Sequence, residues 1–168
     1  MNTTWKTPIT INQDLSDEAA VLWNSTNLGA DQEYIHSVKE LFYIPLTYSD
    51  YISNYTAILY FKNFNLTVNG TVTGIEVELQ SQRLSRIKDK LIQLIYNDQL
   101  IGENQKLDRP EDRQIYGSST NTWGATLNST IINDNSFGIA VQLESNNTTP
   151  FSELAYIDYV KLRVFYTE

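Results

Sequence analysis

Three stretches of the chain alternate apolar and polar residues with a period of two. Ile75, Val77 and Leu79 alternate with Glu76, Glu78 and Gln80. Phe137, Ile139, Val141 and Leu143 alternate with Gly138, Ala140 and Gln142, and Val160, Leu162, Val164 and Tyr166 with Lys161 and Arg163. Successive side chains of an extended strand point to opposite faces, so each stretch predicts a strand with one dry and one wet face. The predicted core is Ile75, Val77, Leu79, Leu94, Phe137, Ile139, Val141, Leu143, Val160, Leu162 and Val164. A slip of one residue would turn each set out to solvent together.

Between these stretches the chain stays β-like. "ELFYIPLTY" and "TAILYFKNFNLTV" are rich in aromatic and β-branched residues, and "KLIQLIYNDQLIG" reads as an apolar strand, a turn at Asn97-Asp98 and a short return. Asn69-Gly70 is a hairpin signal, because both residues tolerate positive φ. The longest polar segment, 102–123, reads as an excursion at one end of the sheet. One short helix fits 16–23, with Ser16 as N-cap and acids in its first turn. With neither repeat nor linker, the pattern predicts an all-β fold: a single antiparallel β-sandwich, jelly-roll-like, with at most one short N-terminal helix. Residues 1–19 would form an N-terminal arm and 20–168 the sandwich.

A competing reading of 133–144 is an EF-hand loop, with Asn133, Asn135, Gly138 and Glu144 in register. Calcium prefers carboxylates between two helices, whereas this stretch starts on Asn, has Phe137 at the fifth place and is flanked by loop or strand. The strand reading is the better one.

Composition narrows the function. Twelve basic against twenty acidic residues leave a net charge of −8, and the one basic cluster, "RLSRIKDK" at 83–90, sits beside a strand. Nucleic-acid binding, which needs a basic patch, is not expected. The chain has no cysteine, so disulfides and thiolate chemistry are excluded. The first residues lack the pattern of a signal peptide, and the longest apolar runs fall short of a membrane span. Sequons such as those at Asn24 and Asn65 follow from a chain with 16 Asn and 17 Thr.

Candidate chemistry is sparse. His36 is the single histidine and has no partner motif around it. Asp108, Glu111, Asp112 and Asp134 are oxygen donors in loops, where acids more often cap turns or pair with neighbours such as Arg109 and Arg113. Tyr116 and Trp123, in "YGSSTNTWG", are either sugar-stacking platforms or packing anchors, and packing is favoured because buried aromatics dominate core energetics. No catalytic residue, metal or cofactor is expected.

The order of motifs "WNSTNLGADQEY", "NFNLTVNGTVTGIEVELQ", "DKLIQLIYNDQLIGEN", "DRQIYGSSTNTWGATL", "IINDNSFGIAVQL" and "AYIDYVKLRVFY" resembles a β-sandwich domain of virion structural proteins from tailed bacteriophages and some large viruses. The resemblance spans roughly residues 20–168, with boundaries of the usual breadth for pattern reading. It departs at Val68-Asn69-Gly70, where the family commonly has Ile-Pro, and at 36–55, which is longer than the family pattern. It implies no catalytic residue. What it implies is a virion structural protein, a homo-oligomer in contact with other virion proteins; the net charge of −8, which repels packaged nucleic acid, puts the expected place on the outer surface or tail of the particle. The expected contacts are aromatic: Trp5 in the arm, and Phe42, Tyr43, Tyr48, Tyr51 and Tyr55. The alternative is a carbohydrate-binding module for host glycans, with Tyr116 and Trp123 stacking and Asn121 or Asp112 hydrogen bonding.

Overall fold

The structure is a computed structural model, and it describes residues 1–18, 20, 23, 37–41, 54–83, 87–145 and 153–168. The described strands are β1 (Thr10–Gln13), β2 (Ser37–Leu41), β3 (Asn54–Tyr55), β4 (Leu59–Lys62), β5 (Thr71–Arg83), β6 (Ile87–Tyr96), β7 (Gln99–Ile101), β8 (Arg113–Ser118), β9 (Gly138–Ser145) and β10 (Glu153–Thr167). A single helical turn, α1 (Ser129–Ile132), precedes β9. The strands form two sheets. One runs β2-β10-β5-β8; the other runs β1-β4-β9-β6-β7, with β3 also on β9. Every strand pairing is antiparallel.

With β1 and β3 set aside, the orders are 2-10-5-8 and 4-9-6-7. The chain crosses between the sheets at β2–β4, β4–β5, β5–β6, β7–β8, β8–β9 and β9–β10. This is the wrapping of an eight-stranded jelly roll. Each crossing lets one apolar set per strand face a shared interior, which is why single-faced alternation recurs along the sequence.

All eleven residues of the predicted core are buried. The interior is filled, with Trp123, Phe61, Phe137, Leu59 and Ile132 among the largest side chains fully withdrawn from water. The Asn97-Asp98 turn is a two-residue hairpin linking β6 to β7, and both residues have positive φ (49° and 60°) as that tight turn demands.

Several expectations are corrected. Asn69-Gly70 makes no hairpin, because the strands on either side of it, β4 and β5, lie in different sheets. A Cβ at Gly70 would collide with the Thr167 carbonyl at the end of β10, so close approach is what requires glycine there. β9 is dry on both faces: it lies mid-sheet, and Ala140 packs with Leu91, Ile95, Ile58 and Tyr60 on the outer side. The polar 102–123 stretch is more than an end excursion. It contains β8 and also runs back along β6, where Gln105 N–H donates to the Ile92 carbonyl at 2.8 Å and Asn104 Oδ1 accepts from Ile92 N–H at 3.0 Å. Within 16–23 the described residues are turn, bend and irregular backbone, and the helical turn lies at 129–132 instead.

The N-terminal arm is laid onto the sandwich. β1 extends the larger sheet beside β4, while residues 1–6 pair with the half of β10 that β2 leaves uncovered. Thr3 N–H donates to the Val164 carbonyl at 2.9 Å, and Lys6 and Leu162 exchange two backbone bonds of 2.9 Å. Thr3 therefore faces Val164 and Lys6 faces Leu162, so Thr4 and Trp5 together oppose Arg163. That is a bulge.

Candidate functional site

The 116–123 loop is built as an anchor. Trp123 is 0% exposed, and its indole Nε1–H donates to the Ile75 carbonyl at 3.1 Å. The ring seats against Gly117, where a Cβ would come 2.5 Å from Nε1. Trp123 adopts φ 59°, a left-handed backbone held from both sides. Its N–H donates to Asn121 Oδ1 at 2.7 Å, and its carbonyl accepts from Glu103 N–H at 2.6 Å. Tyr116 is buried, and its hydroxyl donates to Asp89 Oδ2 at 2.8 Å. Asp89 lies on β6 of the other sheet and also accepts from Leu107 N–H at 3.0 Å, so this bond clasps the two sheets together. Asn121, half-buried, donates to Gln105 Oε1 at 3.2 Å, and its carbonyl accepts from Ile75 N–H. Packing, the reading the sequence favoured, is thus the observed one. The placement of Tyr116 and Trp123 as sugar platforms is corrected: neither ring keeps a face open to a ligand.

The loop acids are dispersed. Asp108 lies 3.6 Å from Lys88 Nζ, the Asp112 carbonyl accepts from Ser81 N–H, and Glu111 N–H donates to Gln114 Oε1. Asp134 accepts from both the hydroxyl and the N–H of Ser136, and those bonds hold its carboxyl below the usual range. Among the described residues, no three His, Cys, Asp or Glu side chains come together as metal ligands would. The calcium-loop reading of 133–144 gives way to other roles. Asn133 caps α1 and bonds both backbone groups of Val68, at 2.8 and 2.9 Å, and Phe137 is core.

What the fold presents outward is two sheet faces of different chemistry. The β10–β5–β8 face is a ladder of charges. Arg163 lies opposite Glu76 and pairs with it at 2.6 Å, while Arg113 reaches Glu78 at 2.8 Å and the Tyr159 hydroxyl donates to Glu78 at 2.7 Å. Burial raises the Glu78 carboxyl's affinity for a proton, but the bonds from Arg113 and Tyr159 and the charges of Arg113 and Lys161 outweigh it, leaving the group below its ordinary range. Trp5 continues the ladder, with its ring 4.5 Å from the Arg163 guanidinium. The β4–β9–β6 face centres on Tyr60 over Ala140 and Ile95, with Leu100 exposed beside it. At its edge is an open groove of about 530 Å³ lined by Asn12, Asp14, Leu15, Tyr60, Lys62 and Asp98. Lys62 pairs with Asp98 across it. Burial, then the charges of Asp14 and Asp98 with the bond to Asp14, push the Tyr60 hydroxyl up.

Of the aromatic residues expected at contacts, Phe42, Tyr43, Tyr48 and Tyr51 lie outside the described residues, as does His36. Trp5 stacks on its own chain. Tyr55 is half-buried, donates to Asp17 at 2.9 Å and takes the Lys90 ammonium 4.6 Å from its ring centre. The charged ladder was missed as a unit. Glu76, Glu78, Lys161 and Arg163 each read as wet positions, but only the strand register places opposite signs side by side. Compared with protein-family models, with curated proteins and with solved structures, the chain matches none of them.

Proposed function

We propose that this chain is a non-enzymatic structural protein of a virus particle, of the tailed-phage or large-virus kind, acting through protein–protein contacts as a homo-oligomer. The observation that carries the reading is the jelly-roll strand order, an arrangement used by virus capsid domains, lectin domains and cupins. A fold alone does not assign a function, so the surfaces must choose. The space between the sheets is packed with apolar side chains, where a cupin would work chemistry. The loop aromatics that a lectin would turn outward are turned in. What remains outward are broad sheet faces, one laddered with charge and one with an apolar centre, suited to contact with other subunits. The net charge of −8 favours a place away from packaged nucleic acid, on the outer surface or tail.

Quantitative mass spectrometry of density-purified particles tests this. The chain should band with the particles in fixed ratio to their other proteins and survive high-salt and nuclease washes. A chain confined to the soluble fraction of the infected cell would overturn the proposal.

A further inference from the structure

The β10 edge between Leu162 and Tyr166 is covered by residues 1–6 of the same chain. We propose that residues 1–7 are an exchangeable strap, and that this edge also docks the strap of a second copy. Such an exchange needs only copies of this chain and no other virion protein.

The pairing within one chain already demonstrates the chemical fit. Thr3 and Lys6 bond to Val164 and Leu162 at 2.9 Å, Tyr166 N–H donates to the Met1 carbonyl at 3.0 Å, and Trp5 lies on Arg163. The same contacts made in trans would be identical, which is the condition for swapping an element between copies. Among the described residues, only the strap pairs with this side of β10 between Leu162 and Tyr166, and a strand edge left open there would template pairing with another chain.

Two features leave the strap's pairing short of a regular ladder. Its ladder is broken by the bulge at Thr4 and Trp5. Val164 N–H is met by the Thr3 hydroxyl at 3.0 Å rather than by a backbone carbonyl. The connection to β1 is Thr7-Pro8-Ile9, where Pro8 is buried and Ile9 N–H donates to the Lys62 and Asn63 carbonyls, so the strap pivots at Thr7, which the following proline biases to extended backbone. A strap on a hinge this short sees its own edge at an effective concentration on the order of 1 mM. Exchange therefore grows as the chain approaches that concentration, as it would in an ordered assembly.

The absence of cysteine gives a clean assay. Asn2 and Phe165 form a bridge with no hydrogen bonds of its own, flanked by the bonded pairs at Met1–Tyr166 and Thr3–Val164. Such pairs bring Cα atoms to about 4.5 Å, within disulfide reach. The double variant Asn2→Cys/Phe165→Cys should close within one chain on oxidation, which checks that the strap docks. The two single variants are then mixed, so that a disulfide between positions 2 and 165 can form only in trans. The expected result is a covalent heterodimer, identified by mass spectrometry, whose yield rises with concentration towards about 1 mM. A yield no higher than that of Asn2→Cys mixed with Leu100→Cys overturns the proposal. So does failure of the double variant to close.

Discussion

Replacing Trp123 separates a packing anchor from a ligand platform. The indole is fully buried, bonds the Ile75 carbonyl at 3.1 Å and fills the space that Gly117 leaves open. Trp123→Ala removes the ring and its hydrogen bond to that carbonyl, and a large-to-small change of this kind costs about 3–5 kcal/mol. For a domain of this size each kcal/mol moves Tm by about 2–4 °C, so the variant should melt roughly 6–20 °C lower. A second substitution sharpens the test. Trp123 holds φ 59°, a backbone that glycine adopts freely and alanine does not. Trp123→Gly should therefore be more stable than Trp123→Ala by about 1 kcal/mol, although glycine is the worse residue in an ordinary strand. Urea unfolding followed by far-UV circular dichroism reads both differences. An alanine variant within about 1 kcal/mol of the parent, or a glycine variant less stable than the alanine one, would show that Trp123 is not a buried anchor held in a left-handed backbone.

Val141 is fully buried between Leu59 and Ile92 on the neighbouring strands, so Val141→Asp strands a carboxylate in the core and should leave no cooperative unfolding transition. Gln142→Asp, mild if position 142 were wet, should instead cost about 1–3 kcal/mol, because Gln142 is buried and donates to the Thr56 carbonyl at 2.8 Å; urea denaturation of the two variants showing equal losses would contradict the assignment of faces. Folding holds the Glu78 carboxyl below its ordinary value of 4.5, so its contribution is present above that pH and is lost as pH falls through the folded value. The stability gap between parent and Glu78→Gln should accordingly narrow from pH 6 to pH 3 in a denaturation series, and a gap that is constant or widens would show that the ion-pair ladder is not its source.

Legibility in the sequence followed local pattern. β5, β9 and β10 announced themselves because each contains or adjoins a run of alternating inward residues, 75–79, 137–143 and 160–164. β8 did not: only Tyr116 of its six residues is buried, so an edge strand of this kind looks like loop. The strap was similarly unreadable, since its order comes from β10 and not from its own side chains. Buried polar residues were the other blind spot. Glu78 and Gln142 read as wet positions and Asp89 as part of a basic cluster beside a strand, and what permits their burial is a partner distant in sequence: Arg113, Thr56 and Tyr116 respectively. Alternation fixes the face of a residue but says nothing of which strand lies beside it. Alternation predicted a jelly-roll-like sandwich, but the order of strands within it, and with it the charged ladder, appeared only with the pairing. For the 116–123 loop, the aromatics were legible as important and their direction was not.

An exposed building block of a virus particle, as proposed for this sandwich, is reachable from outside the intact particle. The most direct measurement is immunogold electron microscopy of unopened particles, with antibodies raised against the folded chain. Gold is expected at regular sites on intact particles, on the shell or along the tail. Labelling that appears only after the particles are broken open, or not at all, would contradict it.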